Sequence, residues 1–172
     1  MKRGIILLGA NGAGKSAVGR ELARLLGFAH LNDERYYFYE TYVPYTVTRP
    51  LEERVRMLLA DMDESGSYVM SGDVSGWGDV FLTRFSLAVF LLVPTDVRVA
   101  RVVSREERWG DRTREGGDMY ESQAGFLEYA ASRDIELLKR RAARYACPLV
   151  YMDGTEHYSS LILKISDYFQ QI

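Results

Sequence analysis

Gly9-Ala10-Asn11-Gly12-Ala13-Gly14-Lys15-Ser16 sets glycines, a lysine and a hydroxyl at the spacing Gly-x-x-x-x-Gly-Lys-Ser, the pattern of a phosphate-binding loop. Its glycine-rich turn lets successive backbone N–H groups converge on an anion, and the helix that follows adds the positive end of its dipole. Lys15 is placed to neutralise the outer phosphates of a nucleoside triphosphate and Ser16 to hold a magnesium ion, so a nucleoside triphosphate and Mg²⁺ are the implied ligands. Gly9, Asn11, Gly12, Ala13, Gly14 and Ala17 complete the donor-side set. Unrelated glycine-rich turns also meet the pattern, and context decides. The apolar run Ile5-Ile6-Leu7-Leu8 precedes the loop, and Val18, Leu22, Leu25 and Leu26 follow at helical spacing with Gly27 as a C-cap.

Three other stretches carry groups suited to phosphate chemistry. Asn32-Asp33-Glu34-Arg35 follows a short apolar segment; Asp33 would orient an acceptor hydroxyl or hold Mg²⁺ through water, with a turn or cap role as the plainer alternative. Gly72-Asp73-Val74-Ser75-Gly76-Trp77-Gly78-Asp79 is glycine-rich enough for close backbone approach, which makes Gly72, Asp73, Gly76 and Trp77 candidate acceptor contacts, unless it is an ordinary long turn. Arg101, Arg105, Arg108 and Arg112 recur at i, i+4, i+7 and i+11, so continued helix would align all of them on one face. Gly110 and Gly116-Gly117 would then hinge an arginine-bearing lid over residues 109–118, with Arg105 and Arg112 on the transferred phosphoryl group and Arg108 on the nucleotide. The competing reading is a solvated face paired with Glu106, Glu107, Asp111 and Glu115.

These groups need a scaffold that delivers them to one edge. Strands are expected at 28–31, 67–71, 87–93 and 148–152 besides the first, each followed by a helical pattern. Parallel strands joined by right-handed crossovers put all their C-terminal ends, and hence all the loops named above, on one side of the sheet. Tyr36, Tyr37, Phe38, Tyr39, Tyr42 and Tyr45 form an aromatic cluster that either stacks a base or packs a subdomain. Pro50 opens a helix ended by Gly66, with Arg54 off its apolar face as a candidate substrate contact. Thr95 and Asp96 are expected to cap a helix running to about Trp109, and one long helix is expected from about Asp118 to Ala146. Asp153-Gly154-Thr155 turns into the final helix.

Composition bounds the rest. The 172 residues, 47% hydrophobic, suit one domain with one buried core. A formal net charge of −2 argues against a nucleic-acid partner. The single Cys147 excludes an internal disulfide and reads as a packed thiol, which points to the cytoplasm. Neither a signal peptide nor a membrane span is expected.

In the order of these elements the chain resembles the small P-loop kinases, the group of adenylate kinase and other nucleoside monophosphate kinases, shikimate kinase and gluconate kinase. Ser71 to Asp79 together with Arg105 to Tyr120 also resembles bacterial proteins known only as ATPases or kinases. The resemblance implies a three-layer α/β P-loop NTPase fold with a five-stranded parallel sheet in the order 2-3-1-4-5. It also implies a helical substrate-binding region near 33–66, a lid after strand four, and an adenine pocket near Asp153-Gly154-Thr155. The implied activity is transfer of the γ-phosphoryl group of Mg-ATP to a small-molecule acceptor, by a monomer or homodimer. The chain lacks the Asp-Gly-Phe-Pro-Arg of adenylate-type enzymes after strand three and the Asp-x-Asp of shikimate kinases after strand two. A nucleoside monophosphate and a hydroxylated metabolite therefore both stay open as acceptors. No Asn-Lys-x-Asp guanine motif is present, so the reading from another class is a nucleotide-binding module or switch with degenerate kinase activity.

Overall fold

The structure, a computed structural model, describes residues 3–172. Ile5, Ile6 and Leu7 are wholly buried, and a strand apolar on both faces belongs in the middle of a covered parallel sheet. The sheet is built that way: β1 (Arg3–Leu8) lies between β3 (Ser67–Ser71) and β4 (Leu87–Leu92), with β2 (Ala29–Asn32) and β5 (Leu149–Asp153) outermost. All pairings are parallel, in the order β2-β3-β1-β4-β5. On one face Val18 and Leu22 of α1 (Lys15–Leu26) and Ile165 and Phe169 of the last helix (Tyr158–Gln170) pack against Ile5, Val69 and Val89. On the other, Leu58 and Met62 from helix 51–65 and Leu138 and Ala142 from helix 135–142 cover Ile6, Met70 and Ala88. These are the three layers of the expected fold.

The helix ends follow local chemistry. Gly27 takes φ 68°, and its N–H closes on the carbonyls of Ala23 and Arg24, ending α1 as its position suggested. α2 (Asp33–Tyr37) starts where Asn32 Oδ1 accepts from the N–H of Glu34. The chain between it and α3 (Leu51–Ser65) is not helical, so only parts of residues 33–66 match the expected helical region. Tyr39 N donates to Val47 O and Arg49 N to Tyr37 O, folding the aromatic stretch back on itself.

Three expectations after strand four are corrected. Helix α4 (Thr95–Glu106) ends before Trp109 and passes into a tight 3₁₀ stretch, Glu107–Thr113, broken at Gly110 with φ 56°. Neither Thr95 nor Asp96 caps it; Pro94 opens the helix, and Thr95 Oγ1 instead accepts from Arg98. The single long helix is two, α5 (Tyr120–Ala131) and α6 (Ile135–Ala142). Asp134 divides them, because its carboxylate accepts the Leu137 N–H and starts a new helix in place of a continuation of the old one. The final helix, Tyr158–Gln170, is α7. Among the described residues no helix is long and apolar enough to cross a membrane.

Candidate functional site

The loop between β1 and α1 holds its shape through three glycines at positive φ, Gly9 at 138°, Gly12 at 84° and Gly14 at 95°. Gly12 is also required sterically, since an added Cβ would lie 2.4 Å from the carbonyl oxygen of Arg98. Lys15 Nζ donates to Gly9 O at 2.9 Å and Ala10 O at 3.2 Å, which keeps the ammonium at the mouth of the loop. Burial lowers its pKa, while the charges of Asp33 and Glu34 act the other way and that of Arg105 reinforces the drop.

β2 and β3 bring the second half of the site. Asn32 Nδ2 donates to Ser16 Oγ at 3.1 Å, tying the loop hydroxyl to the end of β2. Two positions earlier, His30 Nε2 lies 2.9 Å from Ser71 Oγ, and that hydroxyl donates to the backbone oxygen of Lys15 at 3.1 Å. With the Ser71 proton used on Lys15 O, His30 must donate from Nε2. Gly19 is what lets this triplet close, because a Cβ there would sit 2.3 Å from Ser71 Oγ.

Asp33 leans over Gly72, whose φ is 115° and whose absent Cβ would fall 2.0 Å from the Asp33 carboxyl carbon. Burial raises the Asp33 pKa to about 6, Lys15 opposes the shift, and the neighbouring charges of Glu34 and Asp73 add to it. Asp73 Oδ1 accepts from the Tyr145 hydroxyl at 2.8 Å and from Ser75 N at 2.9 Å. The same Tyr145 oxygen accepts from Val74 N at 3.1 Å, and Arg144 binds Ser75 O and Asp79. Arg54 stacks 3.7 Å over Tyr37, with Trp77 at 5.9 Å, and its Nε donates to Arg49 O. Gly76 is exposed, whereas Trp77 packs edge-on against Phe81 and joins the core. A cleft of about 340 Å³ opens beside this region, lined by Asn32, Glu34, Phe38, Tyr39 and Tyr45 among others.

The four arginines after β4 do not share one continuous helical face, because α4 ends at Glu106 and only Arg101 and Arg105 lie on it. Arg101 is a bridge, donating to Ala13 O at 3.3 Å and to Gly154 O at 2.9 Å. Arg105 is exposed and reaches back to Arg101 O at 3.4 Å. Arg108 lies over Trp109, and its charge acts on the Tyr45 hydroxyl. Arg112 grips both carboxylate oxygens of Asp118 and also donates to Tyr42 O at 2.8 Å. The segment expected as a lid is therefore held against the aromatic stretch. At the far side of the loop, Asp153 Oδ1 accepts from both the backbone and the hydroxyl of Thr155, and Gly154 packs against Val93 and Ala13.

Several contributors escape a reading of the sequence. Arg98 is 1% exposed and donates to Val93 O, Asn11 O, Ala130 O and Thr95 Oγ1, pinning the phosphate loop to β4 and α5. An arginine on an amphipathic helix ordinarily points to water, so its type gives no signal of this. Arg133, in the break between α5 and α6, acts electrostatically on both Lys15 and Arg98. Asn32, His30, Ser71 and Tyr145 work through partners distant in sequence. Only the Asn32 position, next to Asp33 at a strand end, hinted at a role.

No family model matches the chain. Among solved structures, the shikimate kinase of Acinetobacter baumannii in complex with shikimate superposes with a TM-score of 0.60 at 18% identity, covering 98% of this chain and 93% of that one. The deoxyadenosine kinase of M. mycoides with products bound gives a TM-score of 0.56 at 17% identity, covering 98% of this chain and 100% of that one. At such identities the likeness is one of fold, and it is the P-loop kinase fold. The uncharacterized protein YqaC of Bacillus subtilis (strain 168) is 32% identical over 177 residues, spanning 98% of each chain. On that identity along its length, the chain belongs to the family of YqaC.

Proposed function

We propose that the protein is a phosphotransferase that moves the γ-phosphoryl group of ATP to a small-molecule acceptor, with a nucleotide-binding module lacking turnover as the reading to be displaced. The observation that carries it is the meeting of Lys15 and Asp33: the loop ammonium and the carboxylate that follows β2 act on each other's charge at one edge of the sheet, where Asn32 ties Ser16 to the end of β2 and the Arg105 charge also acts on Lys15. Phosphoryl transfer asks for little covalent chemistry from a protein and much placement and charge neutralisation. In this reading Lys15, Arg105 and Arg112 stabilise charge on the transferred group, and Arg108 serves the nucleotide. The loop from Gly9 to Ala17 cradles the phosphates, and Asp153, Gly154 and Thr155 border the adenine. Arg54, Gly72, Asp73, Gly76 and Trp77 face the acceptor. Ser16 and Asp33 are hard oxygen ligands that fit magnesium, which takes its remaining ligands from phosphates and water. When bound, that ion supplies charge neutralisation across the phosphate oxygens. The partner is a small molecule rather than nucleic acid or membrane, and the working unit is a cytoplasmic monomer or homodimer.

The test follows ADP release from Mg-ATP with an acceptor panel. Lys15→Ala should lower kcat about 100-fold or more, while Arg105→Ala acts mainly on kcat and leaves ATP binding near wild type. Intact ATP binding with no acceptor-dependent ADP would favour the binding module instead. Equal small effects of both substitutions would remove the assigned roles.

A further inference from the structure

The corner between α6 and β5 contributes two consecutive residues to the acceptor loop. Arg144 holds Ser75 O at 3.0 Å and Asp79 Oδ1 at 3.0 Å, and Tyr145 holds Asp73 Oδ1 and Val74 N. Tyr145 is 5% exposed, its ring packed edge-on against Phe85, so its hydroxyl is a fixed point. The loop of residues 72–79 is therefore shaped from outside itself. Asp73 Oδ1 is fully engaged by Tyr145 and Ser75, whereas Oδ2 makes no hydrogen bond among the described residues. Across Gly72 stands the second carboxylate, Asp33, and the two are close enough for the Asp73 charge to act on it.

We infer that Asp33 and Asp73 flank the acceptor's reacting group, that this group is an alcohol rather than a phosphate monoester, and that Tyr145 is the positioning residue that aims Asp73. The inference rests on the phosphotransferase reading above and narrows its substrate class. Two carboxylates beside one position repel a dianionic phosphate and accept hydrogen bonds from a hydroxyl. In the transfer, the alcohol oxygen forms a bond to the γ-phosphorus as the bond from that phosphorus to the β–γ bridging oxygen breaks. ADP leaves with that electron pair, and the hydroxyl proton passes to Asp73 Oδ2. Arg54 lies to the side of this pair, stacked on Tyr37; Lys15 offsets Asp33 from the donor side, and among the described residues no cation pairs with Asp73.

Two measurements test this. Binding of CMP is followed by calorimetry with a saturating non-hydrolysable ATP analogue and Mg²⁺ present, which keeps the donor side filled. Asp73→Asn should bind CMP about threefold or more tighter than wild type, because one repelling charge is gone. Equal or weaker affinity, no binding in either protein, or conversion of CMP or AMP to a diphosphate by the wild type overturns the alcohol assignment. The second measurement uses Mg-ATP hydrolysis, in which water stands in the alcohol's place. Tyr145→Phe keeps the ring and should lower kcat about tenfold with the KM for ATP within twofold of wild type. A parallel change in kcat and KM, or none, overturns the positioning role. A wild type that binds ATP but shows neither hydrolysis nor transfer sinks the phosphotransferase reading and the Tyr145 role with it, while the CMP comparison still decides whether the carboxylates reject a phosphate.

Discussion

His30 shows how one residue couples the sheet to the phosphate loop. Burial holds its pKa below the usual imidazole value, with the charge of Arg20 adding to the effect. A folded pKa lower than the unfolded one means the native state binds fewer protons. The associated stability is present above about pH 6.5 and is lost as the pH falls through the folded value. Between pH 7.5 and pH 5.5 the denaturation midpoint of wild type should fall by more than that of His30→Gln, whose amide keeps a donor but cannot titrate. Identical pH dependence in the two proteins would show that His30 carries no linked proton. What was legible in the sequence was the loop itself, because its conformation is local: the motif's own spacing sets glycines at positive φ and folds Lys15 over Gly9 and Ala10. His30, Asn32 and Tyr145 were illegible because each acts on a partner that only the parallel register brings near. Ser71 pairs with Asn32 in that register, and this is what puts His30 beside the same strand.

Elements were legible to the extent that their signals were apolar and uninterrupted. The strands came through from runs such as Leu87 to Leu92, and α1 and α3 from periodicity ended by Gly27 and Gly66. The lid did not. Its arginine spacing fits a continued helix, but Gly110 takes a left-handed φ that an α-helix cannot contain, and the helix stops before it. The break between α5 and α6 was hidden because good helix formers stand on both sides of Asp134, whose capping bond outweighs their preference. The segment expected as a lid is instead held by Arg112, through Asp118 and through the Tyr42 carbonyl. The Asp118 pair is partly exposed and worth little as an ion pair, so the added carbonyl bond matters. Arg112→Ala should therefore quicken chymotryptic cleavage at Trp109 at least about threefold, without change in the thermal midpoint beyond a few degrees. Unchanged cleavage would mean that the lid is held by contacts other than Arg112.

At the scale of the whole molecule, the five-stranded sheet and its order match the sequence reading. Alternating buried strands and amphipathic helices permit few right-handed arrangements, and the loop motif selects among them. Cys147 reports on that whole. It packs against the core just before β5, and burial pushes its thiol up to about 11. At pH 8 only about one thiol in a thousand is then ionised, so iodoacetamide should label the folded protein roughly 100-fold more slowly than the denatured chain. Comparable rates would place Cys147 outside the packed core. The Lys15 ammonium, finally, bonds to two carbonyls of its own loop. A phosphate that draws on this lysine enters by exchange: bonds to Gly9 and Ala10 are given up as new ones form. On the proposed phosphotransferase reading, affinity for nucleotide would read only the difference between the two sets, while turnover would read the full field of the ammonium on a charge that grows during transfer.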